Sequence, residues 1–368
     1  MRFAIFTHVP HFESGGHYYA YTPYIREMNI WLQFADEVEV VAPLSTKKDH
    51  TDTSYNHKKL VFTEISSINL LNFSSALMAI FRIPVILFQI ISVMRRADHL
   101  HIRCPGNIGL LASIAQMFFP KKPKTVKYAG NWDRESAQPR SYKFQKWILS
   151  NTSLTRNAKV LVYGNWLDTS ENIVPFFTAS LSEQDKEIIE KDFESPYKFI
   201  FVGNLVEEKG VFSCLEIIQE LKEMGHEVKL IYYGNGPLKS KLKKFIEIRG
   251  FANNVMLKGN IPLEELKRAY KKSHFCLLPS QSEGWPKAVA EAMFYGCIPV
   301  ASQVSCIPWM LDQGKRGVLI DSSINSAVKK IELLIKNPEK MADISRRAQV
   351  WSQEYTLEKF RKEIKKLV

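Results

Sequence analysis

Short runs rich in β-branched and aromatic residues alternate with longer stretches of helical periodicity along most of the 368-residue chain. No other feature constrains the fold as much, because this alternation is the signature of parallel strands joined by helical crossovers. In the first half the expected strands are 2–6, 38–42, 99–103, 125–129 and 159–163, with helices such as 23–34 and 76–95 between them. A polar, acidic segment, 180–196, breaks the rhythm, and a second series begins with strands 198–202, 229–233, 255–258, 275–279, 299–302 and 318–320. Helices 212–224, 238–249, 263–272 and 286–295 fall between these strands. The pattern predicts two Rossmann-like α/β domains. In open parallel sheets ligands bind beyond the carboxyl ends of the strands, so two such sheets facing each other would enclose a cleft.

Composition narrows the class. Hydrophobic residues make up 45% and charged residues 24%, which suits a globular protein and excludes extensive disorder. The net charge of +12 favours anionic partners, whether nucleotide phosphates, nucleic acid or an anionic membrane surface. No zinc-finger spacing or RNP-like aromatic motif occurs, so a nucleic-acid module is not expected. Cys104, Cys214, Cys276, Cys297 and Cys306 are scattered, odd in number and without a C-x-x-C pair, which points to a reducing compartment and away from a thiolate metal site. His8, His11 and His17 have no helix-borne ligand spacing, and no D-x-D motif occurs. The most membrane-like stretch, 77–94, is interrupted by Arg82 and Pro84 and reads as a buried or interfacial helix.

Chemistry concentrates between Leu278 and Val300. A strand runs into a Ser/Gly loop, and a helix is expected to begin at Pro286, a residue suited to the first helical position. Gly296 stands where a helix C-terminal glycine would, followed by Pro299. The backbone N–H groups around Trp285–Ala288, with the helix dipole, would favour an anion. Glu283 precedes the helix, and Glu291 lies about two turns inside it, on a face about 80° away. A carboxylate among Ala288, Val289, Ala290, Ala292 and Met293 is costly to bury without partners. Vicinal ribose hydroxyls would satisfy Glu291; solvent or a lysine would do so equally.

This segment resembles the E-x7-E motif of the family 4 (group 1) retaining glycosyltransferases, which have the GT-B fold. The resemblance implies that Glu291 holds the donor ribose and that Glu283, with Gly284, Trp285, Pro286 and Lys287, lies beside the donor's sugar and phosphates. Phe201 to Gly210 resembles the family's G-R-L-x-x-E-K-G segment, with Gly203 and Lys209 matching and Asn204 standing where the family has an arginine. Lys209 and Glu283 are therefore the expected catalytic residues. Lys287 is the candidate to replace the missing cation, or an ordinary solvent-facing lysine. Gly234-Asn-Gly-Pro237 and Leu257-Lys-Gly-Asn-Ile261 match further turns, and the resemblance assigns Gly259, Asn260 and Ile261 to the nucleotide base. The match is good over 198–321 and looser in the first domain.

There, Gly15 and Gly16 resemble the family's glycine loop, which brings backbone N–H groups to the diphosphate. The pattern is not the G-x-G-x-x-G dinucleotide fingerprint. Many relatives carry a histidine near the sugar; the matching stretch here, Tyr128 to Asp133, has none. Asn131, Trp132 and Asp133, with Arg103 on the preceding strand, are the acceptor-side candidates, and the alternative is a polar strand-end loop with a packing tryptophan. The basic and aromatic residues Arg134, Arg140, Lys143, Lys146 and Arg156 with Tyr142, Phe144 and Trp147 suit either an anionic bilayer or a solvated helix.

The expected architecture is thus a first domain over 1–180, a linker over 181–197, a nucleotide-sugar domain over 198–345 and a crossover helix over 346–368 that packs back on the first domain. The expected function is transfer of a sugar from a UDP- or GDP-type donor to a hydroxyl of a glycan or lipid-linked saccharide in cell-surface polysaccharide synthesis, with retention, no metal and no other cofactor. The expected place is the cytoplasm, with peripheral contact at the inner face of the membrane. A sugar-nucleotide epimerase of the same architecture and a non-catalytic nucleotide-binding relative are the alternatives.

Overall fold

The computed structural model describes residues 1–49, 52–68, 73–167 and 169–368, with the backbone alone for 73–80. The chain forms two compact units, Met1–Phe177 with Phe360–Val368, and Thr178–Lys359.

The first unit contains, in chain order, β1 (Arg2–Phe6), β2 (Phe12–Ser14), β3 (His17–Tyr21), α1 (Thr22–Trp31), β4 (Glu37–Ala42), β5 (Asp52–Ser54), β6 (Leu60–Glu64), α2 (Phe73–Arg96), β7 (His99–Cys104), α3 (Asn107–Ala115), β8 (Lys124–Tyr128), α4 (Arg140–Ser150), β9 (Ala158–Tyr163) and β10 (Ile173–Phe176). Seven strands form a parallel sheet in the order β10-β9-β8-β7-β1-β4-β6. Runs such as Phe3, Ala4, Ile5 and Phe6 are apolar and buried because helices cover both faces of a parallel sheet. Helices α2, α3 and α4 pack Ile90, Leu111 and Leu149 into one core cluster with Val126 and Val160. Their outer sides differ from an ordinary solvated layer. Phe81, Val85 and Phe88, one face of α2, are 75%, 59% and 72% exposed. On α4 the exposed residues Arg140, Lys143, Phe144 and Trp147 also share a face, with the two rings stacked 5.8 Å apart. Neither helix contains an acidic residue. Among the described residues no helix is long and apolar enough to cross a membrane.

The second unit contains β11 (Tyr197–Val202), α5 (Val211–Glu223), β12 (Val228–Tyr233), α6 (Lys239–Ile248), β13 (Val255–Gly259), α7 (Leu263–Lys272), β14 (Phe275–Leu278), α8 (Lys287–Phe294), β15 (Ile298–Ser302), α9 (Ile307–Met310), β16 (Val318–Ile320), α10 (Ile324–Ile335) and α11 (Pro338–Ser352). Its sheet is parallel, in the order β13-β12-β11-β14-β15-β16. From β11 the crossovers run one way and from β14 the other. Right-handed crossovers in opposite directions put α5 and α8 on opposite faces, where α5 packs with α10 and α8 with α11. The point between β11 and β14 where the direction reverses is where such sheets take ligands.

Three expectations need correction. Residues 181–197 are no free tether. Leu181 is buried, Lys267 Nζ lies 2.5 Å from the Asp185 carboxylate, and the Lys191 ammonium donates to the carbonyls of Tyr270, Lys271 and Ser273. This cationic and acidic stretch is laced to its own unit by its charges. Residues 346–368 do not form one helix: α11 ends at Ser352, and α12 (Leu357–Lys365) contributes Phe360 to the first unit, against Phe176 and Phe177. Pro286 is the residue before α8 rather than its first, because its ψ of 86° is not helical.

Candidate nucleotide-sugar site

The loops that leave β11 and β14 meet at the reversal point of the second sheet. Lys209, in the turn after β11, lies with its Nζ 2.6 Å from Oε1 of Glu283, in the loop after β14. The Glu283 side chain is 6% exposed and that of Lys209 29%. The pairing depends on Gly210. Its φ is +66°, and a Cβ there would overlap the Pro279 carbonyl at the end of β14, so only glycine lets the two loops approach this closely. The Gln281 N–H donates to the Glu208 carbonyl at 2.8 Å and ties the loops a second time.

The strand-end loops continue as one hydrogen-bonded platform. The Gly203 N–H donates to Tyr233 O at 2.9 Å, Leu205 N–H to Asn235 O at 3.0 Å, and Gly234 N–H to Gly259 O at 2.9 Å. Asn204 and Asn260 are exposed on it, and Ile261 is half-buried. The Lys239 ammonium donates to Asn235 Oδ1 at 2.8 Å and stands beside Gly259.

Beyond Glu283 the chain is fixed by an aromatic cluster. Trp285 lies 6.3 Å from Trp309 and Trp351 and 5.6 Å from Tyr355, while the Gly284 carbonyl accepts from the Ser305 hydroxyl. Trp285 thus anchors the loop, and the backbone it anchors leads into α8. Helix α8 opens on Lys287, which is half-buried, with no acidic residue in its first turn. The first N–H groups of a helix have no partner within it, and its dipole adds positive potential there. About one turn along, Glu291 is half-buried and its Oε2 accepts from the Tyr270 hydroxyl at 3.2 Å. Burial pushes Tyr270 well above the ordinary phenol range, so it remains a donor. The Tyr270 hydroxyl thus helps to orient the Glu291 carboxylate.

The first unit carries its candidates on a hairpin and on strand-end loops. Gly15 and Gly16 form the two-residue turn of the β2–β3 hairpin, with φ of +58° and +74°, the geometry such a turn demands. The Gly16 N–H donates to Oε1 of Glu13 at 3.1 Å and so is already occupied. Strand β5 completes a small antiparallel sheet with this hairpin. Trp132 is buried against Tyr128 in the core, and Asn131, also buried, accepts the Asp133 N–H. The packing alternative is the one realised for Trp132. Asp133 remains partly exposed, and its carbonyl accepts from Lys146, whose burial lowers its ammonium to about 8. Arg103 lies 4.9 Å from the Tyr24 ring centroid and 3.8 Å from the Glu27 carboxylate.

Sequence reasoning missed Tyr270, Asn235 and Lys239. Tyr270 ends the apolar stripe of α7 and reads as core, since nothing in its neighbourhood announces a contact with Glu291, 21 positions away. Lys239 follows the Gly-Asn-Gly-Pro turn directly, and its position at the start of α6 was the available signal.

Residues 183–351 match the family model described as glycosyl transferases group 1. An uncharacterized glycosyltransferase of Haemophilus influenzae is 30% identical over 169 residues, 45% of this chain and 46% of that protein. The amylovoran biosynthesis glycosyltransferase AmsK of Erwinia amylovora is 31% identical over 150 residues, 39% and 37% of the two chains. The chain spans less than half the length of these curated relatives. Among solved structures, the sucrose-phosphate synthase of Thermosynechococcus elongatus superposes with a TM-score of 0.67 at 14% identity, covering 100% of this chain and 98% of that one. Anabaena Alr3699/HepE, solved with UDP and glucose, gives 0.66 at 12% identity over 100% and 98%. Two parallel-sheet α/β domains of this kind are the GT-B architecture, and residues 183–351, within the second unit, resemble the group 1 glycosyl transferases.

Proposed function

We propose that this protein transfers a sugar from a UDP- or GDP-type nucleotide donor to a hydroxyl of a glycan or lipid-linked saccharide, in cell-surface polysaccharide synthesis. The observation that carries this reading is the bracketing of the first turns of α8 by two carboxylates, Glu283 on Lys209 and Glu291 on Tyr270. An incoming diphosphate competes with Glu283 for Lys209, and the hydroxyls of the donor sugar then take over Glu283. Glu291 receives the ribose hydroxyls. Lys209, the α8 amide groups and Lys287 face the charge that develops on the departing diphosphate. Fixed donors of this kind supply a few kcal/mol each. Retention of anomeric configuration belongs to this reading, as does independence from divalent cations. A relative named as an amylovoran biosynthesis glycosyltransferase supports the product class, and a neighbour solved with UDP and glucose supports the donor class.

Calorimetric titration with UDP and GDP tests the site: Glu291→Ala should weaken nucleotide binding at least tenfold while the melting temperature holds, and unchanged affinity refutes the assignment. Activity that persists in EDTA is expected. An epimerase would convert a donor without any acceptor, and a non-catalytic relative would bind nucleotide without turnover. Peripheral contact with an anionic membrane, at the cytoplasmic face, is the second part of the proposal. The acid-free, aromatic outer faces of α2 and α4 support it. Phe81→Ser with Phe88→Ser should abolish cosedimentation with phosphatidylglycerol vesicles, and unaltered cosedimentation would remove α2 from the surface.

A further inference from the structure

A second cavity lies on the other face of the second sheet. It has a volume of about 560 Å³ and opens at the carboxyl ends of β14, β15 and β16, between the starts of α5 and α10. Lys209, Glu283, Lys287 and Glu291 do not line it. The loop after β14 forms one wall, with Pro279, Ser280 and Gln281 facing the cavity two residues before Glu283.

Three observations define what would fit there. Ser280 is 1% exposed and lines the cavity, yet its hydroxyl has no hydrogen-bond partner. A buried hydroxyl is rarely left unsatisfied in a folded protein, because its desolvation goes uncompensated. Helix α5 begins on Gly210, which has no side chain to cap it, so the N–H groups of Val211, Phe212 and Ser213 have no partner within the helix. Finally, the lining contains no lysine, arginine or histidine, although the chain has 50 lysines and arginines. Two carboxylates, Glu207 and Asp321, stand at the cavity instead, and Asp321 is already engaged by the Ser323 N–H and the Ser326 hydroxyl.

A phosphate or nucleotide would meet two carboxylates and no side-chain cation, which disfavours it although the start of α5 offers N–H groups. An apolar ligand would leave Ser280 unsatisfied. Hydroxyls and carboxamides from Ser302, Gln281 and Gln303 beside the apolar surface of Phe212 and Val304 match a ring with hydroxyl edges and carbon–hydrogen faces. We propose that this cavity binds a neutral saccharide unit, at a site separate from the donor site. It would anchor a glycan on the nucleotide-binding unit. Its wall is the loop that carries Glu283, tied through Gln281 to Glu208. The site does not depend on the donor assignment.

Saturation-transfer NMR with glucose, N-acetylglucosamine and maltose, recorded with UDP present throughout, tests it. At millimolar sugar, saturation of the ring protons is expected for at least one of the three. Ser280→Ala should weaken that sugar about tenfold, the worth of one hydrogen bond, and should not lower the melting temperature of the free protein, since it removes an unsatisfied group. Gln303→Trp, which fills the mouth, should abolish the signal. UDP affinity, measured on the same samples, should be equal in all three proteins. Absence of saturation for every sugar, equal saturation in both variants, or displacement of the sugar by inorganic phosphate would each overturn the proposal. Loss of UDP binding with the sugar signal intact would count against the donor site alone.

Discussion

Replacing Lys209 by methionine tests how the site is held together. The ammonium lies 2.6 Å from a carboxylate whose side chain is 6% exposed. Removing the cation leaves Glu283 charged and almost without solvent, and breaking one side of a buried pair costs about 3–5 kcal/mol. The Lys209 side chain is 29% exposed, which lets some water into the vacated space and argues for the lower end, about 3 kcal/mol. Glu283→Gln is the asymmetric control. It leaves Lys209 with a neutral acceptor and access to water, at about 1 kcal/mol. For a unit of this size each kcal/mol shifts the melting temperature by about 2–4 °C. The lysine variant should therefore melt about 6–12 °C lower and the glutamine variant about 2–4 °C lower. Combining them removes the stranded charge, so the double variant should be more stable than Lys209→Met alone. Scanning calorimetry of the four proteins without nucleotide measures this. Equal losses in the two single variants, or strictly additive losses in the double, would refute the claim that Lys209 neutralises a desolvated carboxylate.

Three further outcomes follow from other parts of the molecule. Tyr270→Phe removes the hydroxyl donated to Glu291 and should weaken UDP binding several-fold with little change in stability; unchanged affinity would mean that Tyr270 does not position the carboxylate. Burial lowers His11, His99 and His274 from 6.5 to about 4. They stay neutral when folded while the unfolded chain takes up protons, so their contribution is complete above pH 6.5 and is lost as pH falls towards 4. The loss is at most about 3 kcal/mol per ring, and urea midpoints that do not fall over that window would contradict it. All five cysteines are free and buried, and burial raises Cys297 to about 11 and Cys104 and Cys306 to about 12. Ellman's reagent should titrate no thiol until the protein unfolds.

The parallel strands were readable in the sequence for a physical reason. Strands covered on both faces must be apolar throughout, so runs such as those around Phe199 and Phe275 stand out from the helices around them. The elements that escaped lack that signal. Strands β2, β3 and β5 are short and largely exposed, and β3 finds β5 more than 30 positions away. Strand β10 contains Pro175 and is tolerated because it lies at the sheet edge. In the site, the spacing of Glu283 and Glu291 was legible because both belong to one loop–helix unit. The pairings were not, because Lys209 and Tyr270 arrive from other crossovers. Two consecutive glycines announced a left-handed backbone, which the structure realises as the turn of the β2–β3 hairpin.

The seat of Phe360 against Phe176 and Phe177 has a bearing on how the protein is made. A ribosome delivers residues 1–177 first, yet part of their core arrives only after every residue of the other unit has been synthesised. The first unit must wait, incomplete and with apolar rings uncovered, while the second is already able to fold. Order of synthesis and order of completion are reversed in this chain, and the nascent first unit is the stage at which a chaperone has most to protect.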